Sequence, residues 1–167
     1  PKEGTRFRSV VKERGGKAQF PYLVDPNTGA EMYESDDINR YLFQQYGTGS
    51  VPLLLSLPGV TLLSSALASA ARISSGIYVQ PSTPPAQPLE LYSFEGSPFC
   101  RIVRERLSEL EIPYLLHNVA KGSPRREAFV ARSGKMMVPY LVDPNTDTAL
   151  FESADILAHL DAHYAAH

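Results

Sequence analysis

Only one of the 167 residues is cysteine, Cys100. That excludes an internal disulfide framework and any dithiol exchange within the chain, and it fits a reducing compartment. Net charge is nearly absent: 16 Lys and Arg face 18 Asp and Glu, leaving −2 and a pI near 6.1. With no excess of basic residues, nucleic-acid binding is not expected. Between positions 48 and 89 the charge almost vanishes, and Arg72 alone carries any. An initiator methionine is also missing, since the chain opens on Pro1. The expectation is a processed or trimmed chain whose targeting segment would already be gone. What is present is 43% hydrophobic residues, enough for a real core in one domain or two small ones.

The dominant pattern is a repeat. Pro-Tyr-Leu-Val-Asp-Pro-Asn-Thr occurs at 21–28 and again at 139–146, 118 residues further on. The match extends without a gap. Gly4, Arg8, Arg14 and Gly16-Lys17 fall on Gly122, Arg126, Arg132 and Gly134-Lys135; Glu34-Ser35, Asp37-Ile38 and Leu42 fall on Glu152-Ser153, Asp155-Ile156 and Leu160. An internal repeat fixes the architecture before any other reading. Copy one occupies 1–47 and copy two 90–167, separated by 48–89. The copies are unequal, because nothing before Pro1 matches the front of copy two at 90–118. Copy one is expected to have had more residues there. Its hairpin, marginal alone in water, must otherwise borrow a surface from 48–89, from copy two or from another chain.

The intervening region divides further. Apolar pairs at Leu62/Leu63, Ala66/Leu67 and Ala70/Ala71 recur every four residues, which suits one helix face. Residues 51–71 are long enough to cross a membrane, but Pro52, Pro58, Gly59 and several serines dilute them, and no basic cluster flanks them. A helix packed on protein is the preferred reading. Pro81, Pro84, Pro85 and Pro88 then predict a stiff, extended linker.

Copy two reads as β-α-β-α-β-β-α. A strand at 89–94 alternates apolar and polar residues. Ser97-Pro98 signals a helix start, with serine as N-cap and proline at the first helical position. That helix runs to about Glu111, with Ile102, Val103, Leu107 and Leu110 inward and Pro113 as its stop. A strand at 114–119, a helix at 124–132, a strand at 138–142, an Asp-Pro-Asn-Thr turn and a strand at 149–152 follow. Ser153 caps a last helix with Ile156, Leu157, Leu160 and Tyr164 on one face. A helical crossover makes the first two strands parallel, and a tight turn makes the last two antiparallel. Copy one has only the second half of this unit.

This order, with Ser97-Pro98-Phe99-Cys100 at the first helix start, resembles the thioredoxin fold of glutaredoxins, and most closely the N-terminal domain of glutathione transferases. The stretch from Ser97 to Arg104 is similar to the active-site region of serine-type plant transferases. Val138-Pro139 stands where the family has its cis-proline, and Glu152-Ser153 where it holds the glutamyl end of glutathione. The tandem arrangement is also similar to a two-domain family of plastids and cyanobacteria, which implies a chloroplast location at the stroma or thylakoid surface.

The resemblance implies glutathione as ligand and no metal. Ser97, at a helix N-terminus whose free N–H groups favour an anion, would stabilise the thiolate; as residue chemistry alone it is an ordinary N-cap. Cys100 is the other catalytic candidate, in the second position of a glutaredoxin-like site; an inert packing thiol is the plainer reading. Lys135, Val138, Pro139, Glu152 and Ser153 would bind glutathione, with Lys135 equally at home as a solvated loop residue, Pro139 as a trans proline and Ser153 as a cap. Phe20, Pro21, Glu34 and Ser35 form the degenerate first-copy counterpart. Arg101, Arg104 and Arg106 read as the exposed face of their helix, pairing with Glu105 and Glu109. His159, His163 and His167 fall at four-residue spacing, which suits one metal-binding face, but a partly exposed helix flank is the preferred reading.

Two functions remain open at this point. One is a glutathione-binding protein with weak transferase or thiol-transfer activity at copy two. The other is a non-catalytic interaction subunit that meets a protein or membrane-bound complex through 48–89, since so much apolar surface seeks a partner.

Overall fold

A computed structural model describes residues 3–47 and 76–166. In chain order its elements are α1 (Arg8–Gly15), β1 (Tyr22–Asp25), β2 (Ala30–Tyr33), α2 (Ser35–Tyr46), β3 (Leu89–Ser93), α3 (Pro98–Glu109), β4 (Tyr114–Asn118), α4 (Arg125–Ser133), β5 (Tyr140–Asp143), β6 (Thr148–Phe151) and α5 (Ser153–Tyr164). The chain divides into two units, one of Thr5–Ile73 and one of Ser74–His167 with Pro1–Gly4. The apolar helix expected at 61–72 and the candidate span at 51–71 lie outside the described residues. No helix among the described residues is long and apolar enough to cross a membrane.

The second unit is a four-stranded mixed sheet in the order β4-β3-β5-β6. β3 runs parallel to β4 and antiparallel to β5, and β5 is antiparallel to β6. This is the thioredoxin-like arrangement. β3 departs from the expected alternation: Leu91, Tyr92 and Ser93 are all buried. A central strand covered on both faces needs no polar side. Leu89 and Leu91 pack with Val103 and Leu107 of α3, with Leu110 at its C-cap, and with Ile156, Leu160 and Tyr164 of α5. On the other face Tyr92 packs with Phe129 of α4, Val119 and Tyr140. Each fully buried aliphatic or aromatic side chain contributes about 1.5–3 kcal/mol.

The inner face of α3 is also corrected. Ile102 is 38% exposed, and Cys100 at 0% takes its place. Cys100, Val103, Leu107 and Leu110 recur at three- and four-residue steps, one stripe of a helix, and Ile102 lies off it. Arg101 is exposed as expected. Arg104 and Arg106 are not. Arg104 pairs with Glu95, and Arg106 reaches Asp161 on α5 at 2.6 Å and Glu109 at 3.0 Å.

The proline segment is not a free spacer. Gln80 N–H donates to Glu109 O (2.8 Å), Thr83 N–H donates to Tyr164 O (2.8 Å), and Ala166 N–H donates to Pro81 O (3.0 Å). The Ser82 hydroxyl donates to Leu110 O. The last carbonyls of a helix lack intrahelical donors. This segment supplies them for α3 and α5, so it is part of the second unit's fold.

The first unit repeats the second half of that fold. β1 and β2 pair as Tyr22↔Tyr33 through Asp25↔Ala30, position for position with Tyr140↔Phe151 through Asp143↔Thr148. In each, the aspartate of the repeated octapeptide ties the hairpin to the following helix. Asp143 Oδ2 accepts from Tyr164 Oη at 2.6 Å and faces His159 Nε2 at 2.9 Å, while Oδ1 accepts from Asn145 N–H at 2.9 Å. Asp25 accepts from Tyr46 at 2.6 Å and from Tyr41, which stand at the matching positions. His159 is partly exposed, as expected of a helix flank, but its side chain turns inward to Asp143. His163 is exposed, and His167 lies outside the described residues.

Burial alone would raise the Asp143 carboxyl. The donors Tyr164, His159 and Asn145 outweigh it and hold the group well below the usual carboxylate range. Asp25, held by Tyr41 and then Tyr46, lies at about 2. A lowered folded-state value means that the stabilisation is full above the unfolded value of about 3.9 and is lost as pH falls through the folded one. Asp143→Asn is therefore expected to flatten the decline in stability below pH ~4, read as urea midpoint against pH. Asp143→Ala leaves two buried donors unpaired and is expected to cost on the order of 3 kcal/mol at neutral pH. An unchanged midpoint would show that the carboxylate does not anchor the turn.

Candidate functional site

Strand direction decides what meets what. β3 and β4 are parallel, so both end at the same edge of the sheet, with Ser93 opposite Asn118. β5 runs the other way and begins there, with Tyr140 opposite Tyr92. β6 ends there, with Phe151 opposite Tyr140. The segments attached at this one edge are Ser97 and the start of α3, the Ala120–Ser123 loop and the start of α4, Val138-Pro139, and Glu152-Ser153 at the start of α5. Dispersed positions expected of one site are thus gathered by topology. Three helix N-termini, with their positive dipole ends and N–H groups that lack intrahelical partners, open at this end of the sheet.

Ser97 caps α3 as expected. Its Oγ accepts from Cys100 N–H at 3.3 Å, and Pro98 follows at the first helical position. The residue is 6% exposed. The cap uses oxygen lone pairs and leaves the hydroxyl proton able to donate. Cys100 is corrected as a catalytic candidate: its thiol is completely buried, on the inward stripe of α3. A buried thiol offers no sulfur to an incoming substrate.

The Val138-Pro139 bond is cis, and so is Phe20-Pro21. Pro139 is buried and Val138 partly so. Lys135 is exposed, with Nζ 4.3 Å from the centroid of the Phe151 ring; Lys17 stands likewise 4.8 Å from Tyr33. The lysine is therefore parked over the strand that leads into Glu152.

The start of α5 differs from the expected cap. Ser153 is the first helical residue, and Glu152 holds the N-cap position without a side-chain cap. Glu152 has φ 62° and ψ 125°, and its counterpart Glu34 has φ 66° and ψ 121°. Positive φ is costly for a residue with a Cβ, on the order of 1–3 kcal/mol. Both copies hold a glutamate there rather than the glycine that backbone ease would choose. The conformation sets the exposed Glu152 side chain at the helix mouth.

A cleft of about 430 Å³ adds residues that sequence reasoning missed. Asn118, Ala120, Lys121, Gly122, Ser123 and Arg125 line it, at the same sheet edge. Lys121 and Arg125 flank the start of α4. The Lys-Gly-Ser-Pro-Arg run was a legible signal, since it pairs a helix-start signature with two cations.

The chain matches the family model for the glutathione S-transferase N-terminal domain over residues 2–65 and again over 91–167. It is 33% identical over 81 residues to the glutathione S-transferase-like protein tpcF of Aspergillus fumigatus, covering 48% of this chain and 36% of that protein. Among solved structures it is similar to glutathione S-transferase unclassified 2 from Bombyx mori, at 25% identity and a TM-score of 0.43, over 48% of this chain and 38% of that one. The chain thus spans little more than a third of the length of either relative. With both stretches matched, it belongs to the glutathione S-transferase N-terminal domain family.

Proposed function

We propose that the second unit binds glutathione at the edge where its four strands converge, and uses it in conjugation or thiol transfer. The observation that carries this reading is the gathering of three helix N-termini, Lys121, Arg125 and Glu152 at one end of one sheet. Glutathione has two carboxylates, one ammonium and one thiol. The helix ends and the two cations suit the carboxylates. Glu152 suits the ammonium. The thiolate falls to the start of α3, where the dipole lowers its pKa and the Ser97 hydroxyl donates to it. The cis Val138-Pro139 segment faces the same edge and offers backbone groups to the cysteinyl residue. In the first unit, Phe20, Pro21, Glu34 and Ser35 repeat part of this set.

Calorimetric titration tests the reading directly. Saturable binding of glutathione at millimolar concentration or below is expected, and absence of heat and of thermal shift would end it. Glu152→Ala is expected to weaken binding about tenfold through loss of the ammonium's partner; an unchanged affinity would place the pocket elsewhere.

Ser97 has two separable roles. Ser97→Ala loses the cap, about 1 kcal/mol, whereas Ser97→Gly costs only a few tenths. Both are expected to raise the pKa of bound glutathione, read from the ultraviolet absorbance of the thiolate against pH. A midpoint unmoved in the glycine variant would reduce Ser97 to a cap.

A second reading, a non-catalytic interaction module, is favoured by the apolar side chains exposed on the first unit, among them Phe20, Leu42 and Tyr46.

A further inference from the structure

Ser93 closes β3 at the edge where the candidate site lies, opposite Asn118 of β4. It is 1% exposed, an uncommon place for a serine. Its carbonyl is matched, since Val119 N–H donates to Ser93 O at 3.0 Å. Its side chain is not: the buried Oγ has no hydrogen-bond partner among the described residues. A buried hydroxyl without a partner destabilises a fold, and its removal is neutral or stabilising. Such a group calls for a role or a partner of its own.

Strand alternation says where the hydroxyl points. Leu89 and Leu91 face α3 and α5, whereas Tyr92 faces α4. Ser93 is two residues on from Leu91 and so faces α3. It lies at the site end of the layer between the sheet and that helix, the layer that also buries Cys100. The chain then reverses. Ser97 N–H donates to Phe94 O at 3.3 Å, closing a turn that returns Ser97 to the end of β3.

The two serines have complementary needs. A hydroxyl carries one donor and two acceptor sites. Ser97 Oγ accepts from Cys100 N–H, which leaves it one acceptor site and its own proton. Ser93 brings a donor with no protein acceptor. The two are not bonded directly, so one water is the shortest link between them. Such a bridge joins oxygens about 5 Å apart, two ordinary hydrogen bonds end to end. Two polar partners also meet the least that a buried water requires.

We propose that Ser93 is a positioning residue for the thiolate site, donating to one buried water that in turn donates to Ser97 Oγ. The inference rests on the reading that the second unit binds glutathione at this edge. With both acceptor sites of Ser97 occupied, its proton is turned toward the ligand sulfur. Hydrogen bonds in a chain polarise one another, so a Ser97 hydroxyl that accepts twice donates more strongly. Ser93 itself stays beneath the site and touches no ligand. No proton changes hands in the arrangement.

Two measurements on the full chain test it. A high-resolution crystal structure of the free chain is expected to show an ordered water about 3 Å from both Oγ atoms. A structure without that water, or with Ser93 Oγ bonded elsewhere, would overturn the proposal. In the thiolate titration, Ser93→Ala is expected to keep glutathione binding but lower the thiolate fraction about threefold at a given pH. In a Ser97→Gly background the same substitution is expected to change nothing further, because the group it acts through is gone. A titration that Ser93→Ala leaves unmoved, or shifts equally in the Ser97→Gly chain, would overturn this inference alone. A parent chain that binds no glutathione ends the proposed function first, so the two failures are told apart.

Discussion

A buried carboxylate holds this fold in register. Asp143 has no exposed surface, so its charge must be met inside the protein. Tyr164 and His159 come from α5, and Asn145 from the turn after β5. The network therefore pins the far end of α5 to the far end of the hairpin. With that end fixed and the side chains of Ile156 and Leu160 sunk between α3 and the sheet, the axis of α5 has little freedom. Its N-terminus is delivered to the opposite edge, beside Val138-Pro139 and the start of α3. A polar anchor at one end sets the geometry of the candidate site at the other.

Much of this was legible from residues alone. The octapeptide repeat exposed two related units. Ser97-Pro98 marked a helix start because both residues have local reasons to sit there, and local reasons survive folding. Long-range pairings were less visible. Asp143 reads as a turn residue, and its second oxygen is spoken for only once α5 folds back across the sheet. The partial exposure of His159 is legible from its helix flank, but its contact with Asp143 is not, because that partner lies 16 residues away on another element. Ile102 reads as inward on hydrophobicity, yet the stripe through Val103 and Leu107 runs through Cys100, whose burial fits its reading as a packing thiol. The proline segment read as a spacer because composition reports stiffness and says nothing of helix ends that need donors. For Lys121 and Arg125 the helix-start signal with two cations was legible, but the cleft between them was not, because a cleft is a property of the surface between elements.

The repeat also shows how far burial depends on neighbours rather than on sequence. Identical strands occupy both units, and the same aspartate anchors both hairpins, through Tyr41 and Tyr46 in one and His159 and Tyr164 in the other. Local and hairpin-level interactions are thus reproduced wherever the sequence is. Core burial is not: Leu160 is fully buried and Leu42 is 37% exposed. Secondary structure is specified within a half-unit, whereas a closed core takes a whole one.

That distinction bears on selectivity at the candidate site. Helix N-termini attract anions without discriminating among them, each presenting roughly half a positive charge. Three such ends, with Lys121 and Arg125, would by themselves accept any polyanion. Glu152 works against that, because it sets a negative charge at one corner of the same edge, in a backbone conformation that a carboxylate alone does not require. A simple polyanion meets repulsion there, and a simple cation meets it everywhere else. A zwitterion matches both only if its ammonium lies at one end and its acids toward the other. On the proposed reading, this charge pattern would select the layout of a ligand's charges as much as their sum.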